Sequence, residues 1–182
     1  MESPCPAALE QALTAHRVVC AGTPGRDGKL TAPSLPMAAL AALADYVLVE
    51  ADGSRRLPLK AHGPREPVLP PERRQTICVV GASGFGRPAA EAVHRPEHFC
   101  ALTGAAPETA VTPALVAAAL AAERLADTVL LNQVEGPARQ ADAAAFARAL
   151  AGHGLRIAAG SLRTGQGVLL AAGSGRSPAG QP

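Results

Sequence analysis

The sequence predicts an α/β fold, a parallel sheet flanked by helices, and two observations predict it. Short apolar runs alternate along the chain with alanine-rich helical stretches, and strands separated by helices pair in parallel through right-handed crossovers. The run Val47–Val49 also lacks the alternation of a half-solvated strand, as expected where both faces of a sheet are covered.

Strands are expected near Arg17–Ala21, Tyr46–Ala51, Thr76–Gly81, Thr128–Asn132 and Leu155–Ala159. Helices are expected near Ala7–Ala15, Pro36–Ala44, Pro113–Leu125 and Pro137–Ala151. Pro113 and Pro137 suit a first helical turn, where the missing N–H costs nothing, and Thr112 is placed to cap the helix that follows it. Gly53–Pro71 is the long irregular exception, rich in Pro and Arg, and such loops are usually functional or mobile. These elements make one α/β domain over residues 1–165 and a tail over 166–182, with Gly, Ser and Pro predominating from Gly173 onward.

Composition bounds the function. A chain of 182 residues buries a core of its own. Hydrophobic residues make up 48% but aromatics only 2%, so the core is expected to be packed from Ala, Val and Leu. Lys plus Arg of 17 against Asp plus Glu of 15 leaves +2, which carries no nucleic-acid footprint. Cys5, Cys20, Cys78 and Cys100 form no CxxC pair and follow no secretory signal, so neither a disulfide framework nor a zinc site is expected and the compartment reads as cytoplasmic. No apolar segment reaches the roughly 18 residues of a membrane span.

The stretch Tyr46–Lys60, YVLVEADGSRRLPLK, carries the candidate site. Glu50 and Asp52 would share one face of the strand Tyr46–Ala51, since side chains two apart point the same way. Gly53 and Ser54 turn the chain, and Arg55, Arg56, Lys60 and His62 follow. Beyond the carboxyl end of a parallel strand, this loop would lie in the ligand crevice of an open α/β sheet. Hard carboxylate oxygens beside guanidinium and ammonium groups suit a Mg-bound phosphate. The same residues also read as a turn capped by Asp52 with solvated cations, a surface charge network of little energetic weight.

Cys78–Gly86, CVVGASGFG, looks like a dinucleotide fingerprint but departs from it. The spacing is G-x-x-G-x-G, Arg87 and Pro88 interrupt the helix entry, and no acidic residue ends a second strand about 20 residues on.

The string VLVEADGSRRLPLKA followed by EPVLP resembles the signature of the YqeC family, known as selenium cofactor biosynthesis proteins or accessory proteins of selenium-dependent molybdenum hydroxylases. TICVVGASGFGRP at Thr76–Pro88, VHRPEHFCALTGAAPETAVTP at Val93–Pro113 and VLLNQVE at Val129–Glu135 match in the same order. Together the blocks cover about Gly28–Leu162.

The resemblance implies a P-loop NTPase-like fold, Mg with a nucleoside triphosphate, and a role in maturing molybdenum hydroxylases. Glu50 and Asp52 would organise the metal. Gly53, Ser54, Arg55, Arg56, Lys60, His94, Arg95 and Asn132 would face the nucleotide or another phosphate-bearing small molecule, while His94 and Arg95, before a turn and a proline, also read as structural and Asn132 as the end of a strand. The family's N-terminal phosphate loop has no counterpart, because Ala21–Leu30, AGTPGRDGKL, lacks the spaced glycine and has Leu30 where a hydroxyl belongs. The fold is therefore expected to be incomplete at its N-terminus, the cradle being lost or lying upstream of Met1. Asn132 stands where related folds keep a base-reading Asn-Lys-x-Asp, but Gln133 and Glu135 replace the last two partners, which weakens guanine specificity.

Gly167–Arg176, GVLLAAGSGR, resembles the opening of nucleotidyltransferases such as the molybdopterin cytidylyltransferases and marks the tail as a truncated start of such a segment. The alternative is a last strand and a glycine-rich tail. Selenium chemistry also keeps a reactive thiol at Cys78 or Cys100 as an alternative to a buried apolar one. The alternative function is a non-catalytic adaptor that has lost nucleotide binding and docks a maturation partner.

Overall fold

The computed structural model describes residues 4–173. The chain divides into two compact units, Met1–Glu50 with Pro70–Glu72, and Ala51–Leu69 with Arg73–Pro182.

The first unit holds α1 (Pro6–Ala15), the hairpin of β1 (Thr23–Pro24) and β2 (Leu30–Thr31), and α2 (Met37–Leu43). α1 and α2 pack together, with Leu9 and Leu40 buried. Neither Arg17–Ala21 nor Tyr46–Ala51 is a strand, which corrects two expectations. A strand exists only where a neighbouring backbone takes up its hydrogen bonds, and an apolar run supplies no such neighbour. Tyr46 and Leu48 are accordingly 87% and 90% exposed.

The second unit opens with β3 (Leu59–Lys60) and continues with β4 (Ile77–Gly81), α3 (Ala89–Ala92), β5 (Val93–His94), α4 (Pro96–Thr103), α5 (Pro113–Glu123), β6 (Thr128–Asn132), α6 (Gly136–Ala149), β7 (Arg156–Ser161) and β8 (Gln166–Ala171). It is mixed α/β, with sheets flanked by helices. The main sheet runs β4-β6-β7-β8. β4, β6 and β7 are parallel, with Ile77 opposite Thr128 and Gly81 opposite Asn132. The crossovers carry α5 and α6, as the alternating pattern requires. Thr112 caps α5, its Oγ1 accepting from Leu115 N–H at 3.2 Å.

The sheet extends past residue 165, because Gln166–Ala171 returns as an antiparallel edge strand on β7. The turn Leu162–Gly165 is too short for a crossover, and a tight hairpin reverses direction. Residues 174–182, where the remainder of the glycine-rich tail falls, lie outside the described residues.

One face of the sheet carries the core: Val80, Val129, Leu131, Ile157 and Ala159 pack with Val116 and Ala117 of α5 and Phe146 of α6. Ala, Val and Leu fill most of it as expected, but all three phenylalanines of the chain, Phe85, Phe99 and Phe146, are buried there too. On β4, Ile77 and Val79 point to the opposite face and are exposed. No helix among the described residues is long and apolar enough to cross a membrane.

Candidate functional site

The loop after Asp52 is fastened to the carboxyl end of β4. Gly81 N–H donates to Pro58 O at 2.8 Å, the last β4 residue meeting the segment that leads into β3. A Cβ on Gly81 would lie 2.8 Å from Pro58 Cβ, and one on Gly84 only 2.6 Å from Leu59 Cγ. The glycines of CVVGASGFG therefore serve close packing of Pro58 and Leu59 on the turn. β3 then pairs in parallel with β5, which sets Lys60 beside His94 and Leu59 beside Val93.

This pairing gathers charge. Lys60 Nζ lies 2.9 Å from Asp52 Oδ2, 2.8 Å from Glu66 Oε2 and 2.9 Å from Gly53 O. Three acceptors match the three N–H donors of an ammonium group, and the Lys60 side chain is only 8% exposed. The alternative reading of solvated cations does not describe Lys60, whose three donors all face an acceptor. Glu66 also clasps Arg95, with Oε1 3.2 Å from Nη2 and Oε2 against Nη1. The fork geometry matches a bidentate carboxylate. Hydrogen bonds from Arg95 and then Lys60 pull the Glu66 carboxyl down to about 2.

His62 extends the network inward. Its Nδ1 lies 2.8 Å from Glu123 Oε2 and its Nε2 3.1 Å from Asp52 Oδ2, so each ring nitrogen faces a carboxylate. Its backbone N–H donates to Glu123 Oε1 at 2.7 Å. Ser54 closes the turn, its hydroxyl donating to Leu57 O at 2.8 Å while Leu57 N–H returns to Ser54 O.

Arg55 and Arg56 occupy that turn with φ of 53° and 64°, both in the left-handed region, and both are exposed. A side chain there costs roughly 1 to 2 kcal/mol per residue. The charge of Arg55 reaches the network: burial first, then the charges of Arg95, Lys60 and Arg55, lower the pKa of His94. Gly53, Arg55, Lys60, His94 and Arg95 therefore belong to one neighbourhood, with Ser54 and Arg56 in the adjoining turn.

Asn132 does not share this network. It sits opposite Gly81 at the same sheet edge, but its Oδ1 accepts from Leu162 N–H at 2.9 Å and secures the turn into β8. Gln133 next to it accepts from the Ser83 hydroxyl at 2.6 Å.

Glu50 and Asp52 lose the strand that was to align them, since Tyr46–Ala51 is not a strand. Glu50 is exposed in the first unit and Asp52 half-buried in the second. Among the described residues no group of three or more His, Cys, Asp or Glu is arranged to hold a metal. Asp52 Oδ2 is buried, with Lys60 Nζ at 2.9 Å and His62 Nε2 at 3.1 Å beside it. A lone oxygen already faced by an ammonium and an imidazole nitrogen does not fit a metal bound by the protein alone, and it could ligate Mg brought in on phosphate oxygens only in place of those neighbours.

Cys78 lies on β4 near this network. Burial, followed by the charges of Glu123 and Asp52, pushes its thiol up to about 12. A thiol so placed stays protonated, which leaves the reactive reading without support at this position.

Glu66 and Glu123 escape a reading of the sequence. Glu66 stands in the EPVLP block, where its proximity to Lys60 is a weak local signal. Glu123 is 61 residues from His62, and only the packing of α5 brings the two together.

Among known proteins, the model of the family described as YqeC protein matches residues 2–97. A protein of Escherichia coli (strain K12) named "Uncharacterized protein YqeC" is 42% identical over 65 residues, which make up 35% of this chain and 25% of that protein. The matched stretch thus spans about a quarter of the relative's length. No solved structure matches.

Proposed function

The chain belongs to the YqeC family, and from that premise we propose that it is a cytoplasmic accessory protein for maturation of selenium-dependent molybdenum hydroxylases, acting by binding a nucleotide or another phosphate-bearing small molecule. Arg55, Arg56, His94 and Arg95 receive the phosphates beside Lys60, with Gly53 and Ser54 shaping the turn. Asp52 would contact Mg that the phosphates carry. The P-loop-like nucleotide fold belongs to the same proposal.

One observation carries it. Two adjacent arginines are held in left-handed backbone conformations at the rim of a cation cluster, at the carboxyl end of β4. Strained backbone persists where surrounding structure enforces it, and it concentrates at ligand sites. The carboxyl ends of parallel strands are where open α/β sheets bind ligands.

A second reading, an adaptor that docks a maturation partner, draws on the exposed apolar residues Ile77 and Val79. Calorimetric titration of the chain with inorganic phosphate, pyrophosphate, ATP, GTP and CTP, each with and without Mg, separates the two. The phosphate-binding reading expects heat of binding that Arg55→Ala weakens at least several-fold. Absence of binding by any of the five removes that reading and leaves the adaptor.

A further inference from the structure

The cation cluster is already filled by a carboxylate of its own chain. Glu66 takes both forks of the Arg95 guanidinium and one of the three N–H donors of Lys60. It does so from irregular backbone between β3 and β4, tied locally by its N–H to Gly63 O at 3.0 Å. Glu66 holds one of the three Lys60 donors, so that donor meets an external ligand only after Glu66 has moved. The other Lys60 acceptors, Asp52 and the Gly53 carbonyl, remain when it does.

We propose that Glu66 is a built-in anionic plug that sets the specificity of this site, admitting a terminal dianionic phosphate in its place and excluding carboxylate monoanions. The inference rests on the anion-binding reading above and adds to it the ligand class and the residue that selects it.

The physical argument is competition. An internal carboxylate competes at the high effective concentration that a short tether confers. A carboxylate monoanion offers Arg95 and Lys60 the same charge and the same two oxygens, so it gains nothing by exchange. A terminal phosphate carries about 1.5 to 2 negative charges at neutral pH and three acceptor oxygens. It satisfies the guanidinium fork and the ammonium donor together and keeps an oxygen for Arg55. Displaced, Glu66 moves to solvent at little backbone cost, because no helix or strand holds it.

The experiment titrates the wild-type chain and Glu66→Gln with inorganic phosphate, a nucleoside monophosphate and acetate at pH 7.5, with a thermal melt of each protein. The proposal expects phosphate to bind Glu66→Gln at least tenfold more tightly than wild type, and acetate to be bound by the variant but not by the wild type. Glu66→Ala, which removes the competing oxygens altogether, must show the same gain. If the wild type binds phosphate and neither variant binds it more tightly, the plug is overturned and the anion site stands. If no protein binds phosphate or the monophosphate, the anion-site reading fails and the plug with it. Preference for the monophosphate over free phosphate identifies a nucleotide as the source of the group. A readout without variants is the side-chain carboxyl carbon resonance of Glu66 in the wild type. It must shift when phosphate saturates the site, and an unmoved resonance at saturation overturns the displacement.

Discussion

Lys60 Nζ and Glu66 Oε2 lie 2.8 Å apart, and the lysine side chain is only 8% exposed. A charge pair this sheltered makes stability depend on acidity. The Glu66 carboxyl is held at about 2 against an ordinary 4.5, chiefly by hydrogen bonds from Arg95 and then Lys60. Above pH 4.5 the group is ionised in folded and unfolded chains alike, and its stabilisation is fully present. As pH falls from 4.5 towards 2 the unfolded chain takes up the proton first, so stability is lost across that window. Urea midpoints measured from pH 6 to pH 2.5 should fall more steeply for wild type than for Glu66→Gln, whose amide does not titrate.

The left-handed turn at Arg55 predicts a trade of stability against binding. Glycine adopts its φ of 53° without strain. Relief of roughly 1 to 2 kcal/mol is partly offset by the greater freedom of glycine in the unfolded chain. Arg55→Gly should therefore be as stable as wild type or more so, by up to about 1 kcal/mol in urea unfolding, while binding phosphate more weakly. A destabilised variant with undiminished phosphate binding would show that the arginine is there for packing.

Glu123 is the hidden support of the loop. Its side chain, 7% exposed, accepts from the His62 backbone N–H and faces the His62 ring. Glu123→Ala strands a part-buried donor, which costs about 1 to 3 kcal/mol. Glu123→Gln, which keeps an acceptor oxygen, should recover part of that loss. Equal melting temperatures for Glu123→Ala and wild type would remove this residue from the account.

Close packing at Gly84 admits a sharp test. A methyl group there meets Leu59 Cγ at 2.6 Å, and overpacking of this kind typically costs about 1 to 3 kcal/mol. The penalty of Gly84→Ala should shrink when Leu59 is changed to Ala, so the two substitutions must be non-additive in denaturant unfolding. Additive costs would mean that the glycine answers to something other than Leu59.

The residues that mark this site are legible locally. Asp52, Arg55, Arg56 and Lys60 fall within nine residues of sequence, and a turn forces neighbours in sequence to be neighbours in space. The strands Ile77–Gly81 and Thr128–Asn132 and the cap at Thr112 are equally local, each resting on apolar runs or side-chain chemistry within a few residues. Tyr46–Ala51 misleads for the opposite reason. Its composition suits a strand, but a strand is a relation between two backbones, and this one has no ladder.

By itself the sequence determined the α/β class and the identity of the cations, because these depend on periodicity and short-range chemistry, but it placed the turn at Gly53 and Ser54, whereas Arg55 and Arg56 form its centre. Only the tertiary structure decided which of those cations is available. Lys60 is sealed by Asp52 and Glu66, His62 is held by Glu123 from 61 residues away, and Arg55 and Arg56 stay exposed. The physical reason is that ion pairs are chosen by distance in space, and the β3–β5 ladder and the packing of α5 set those distances.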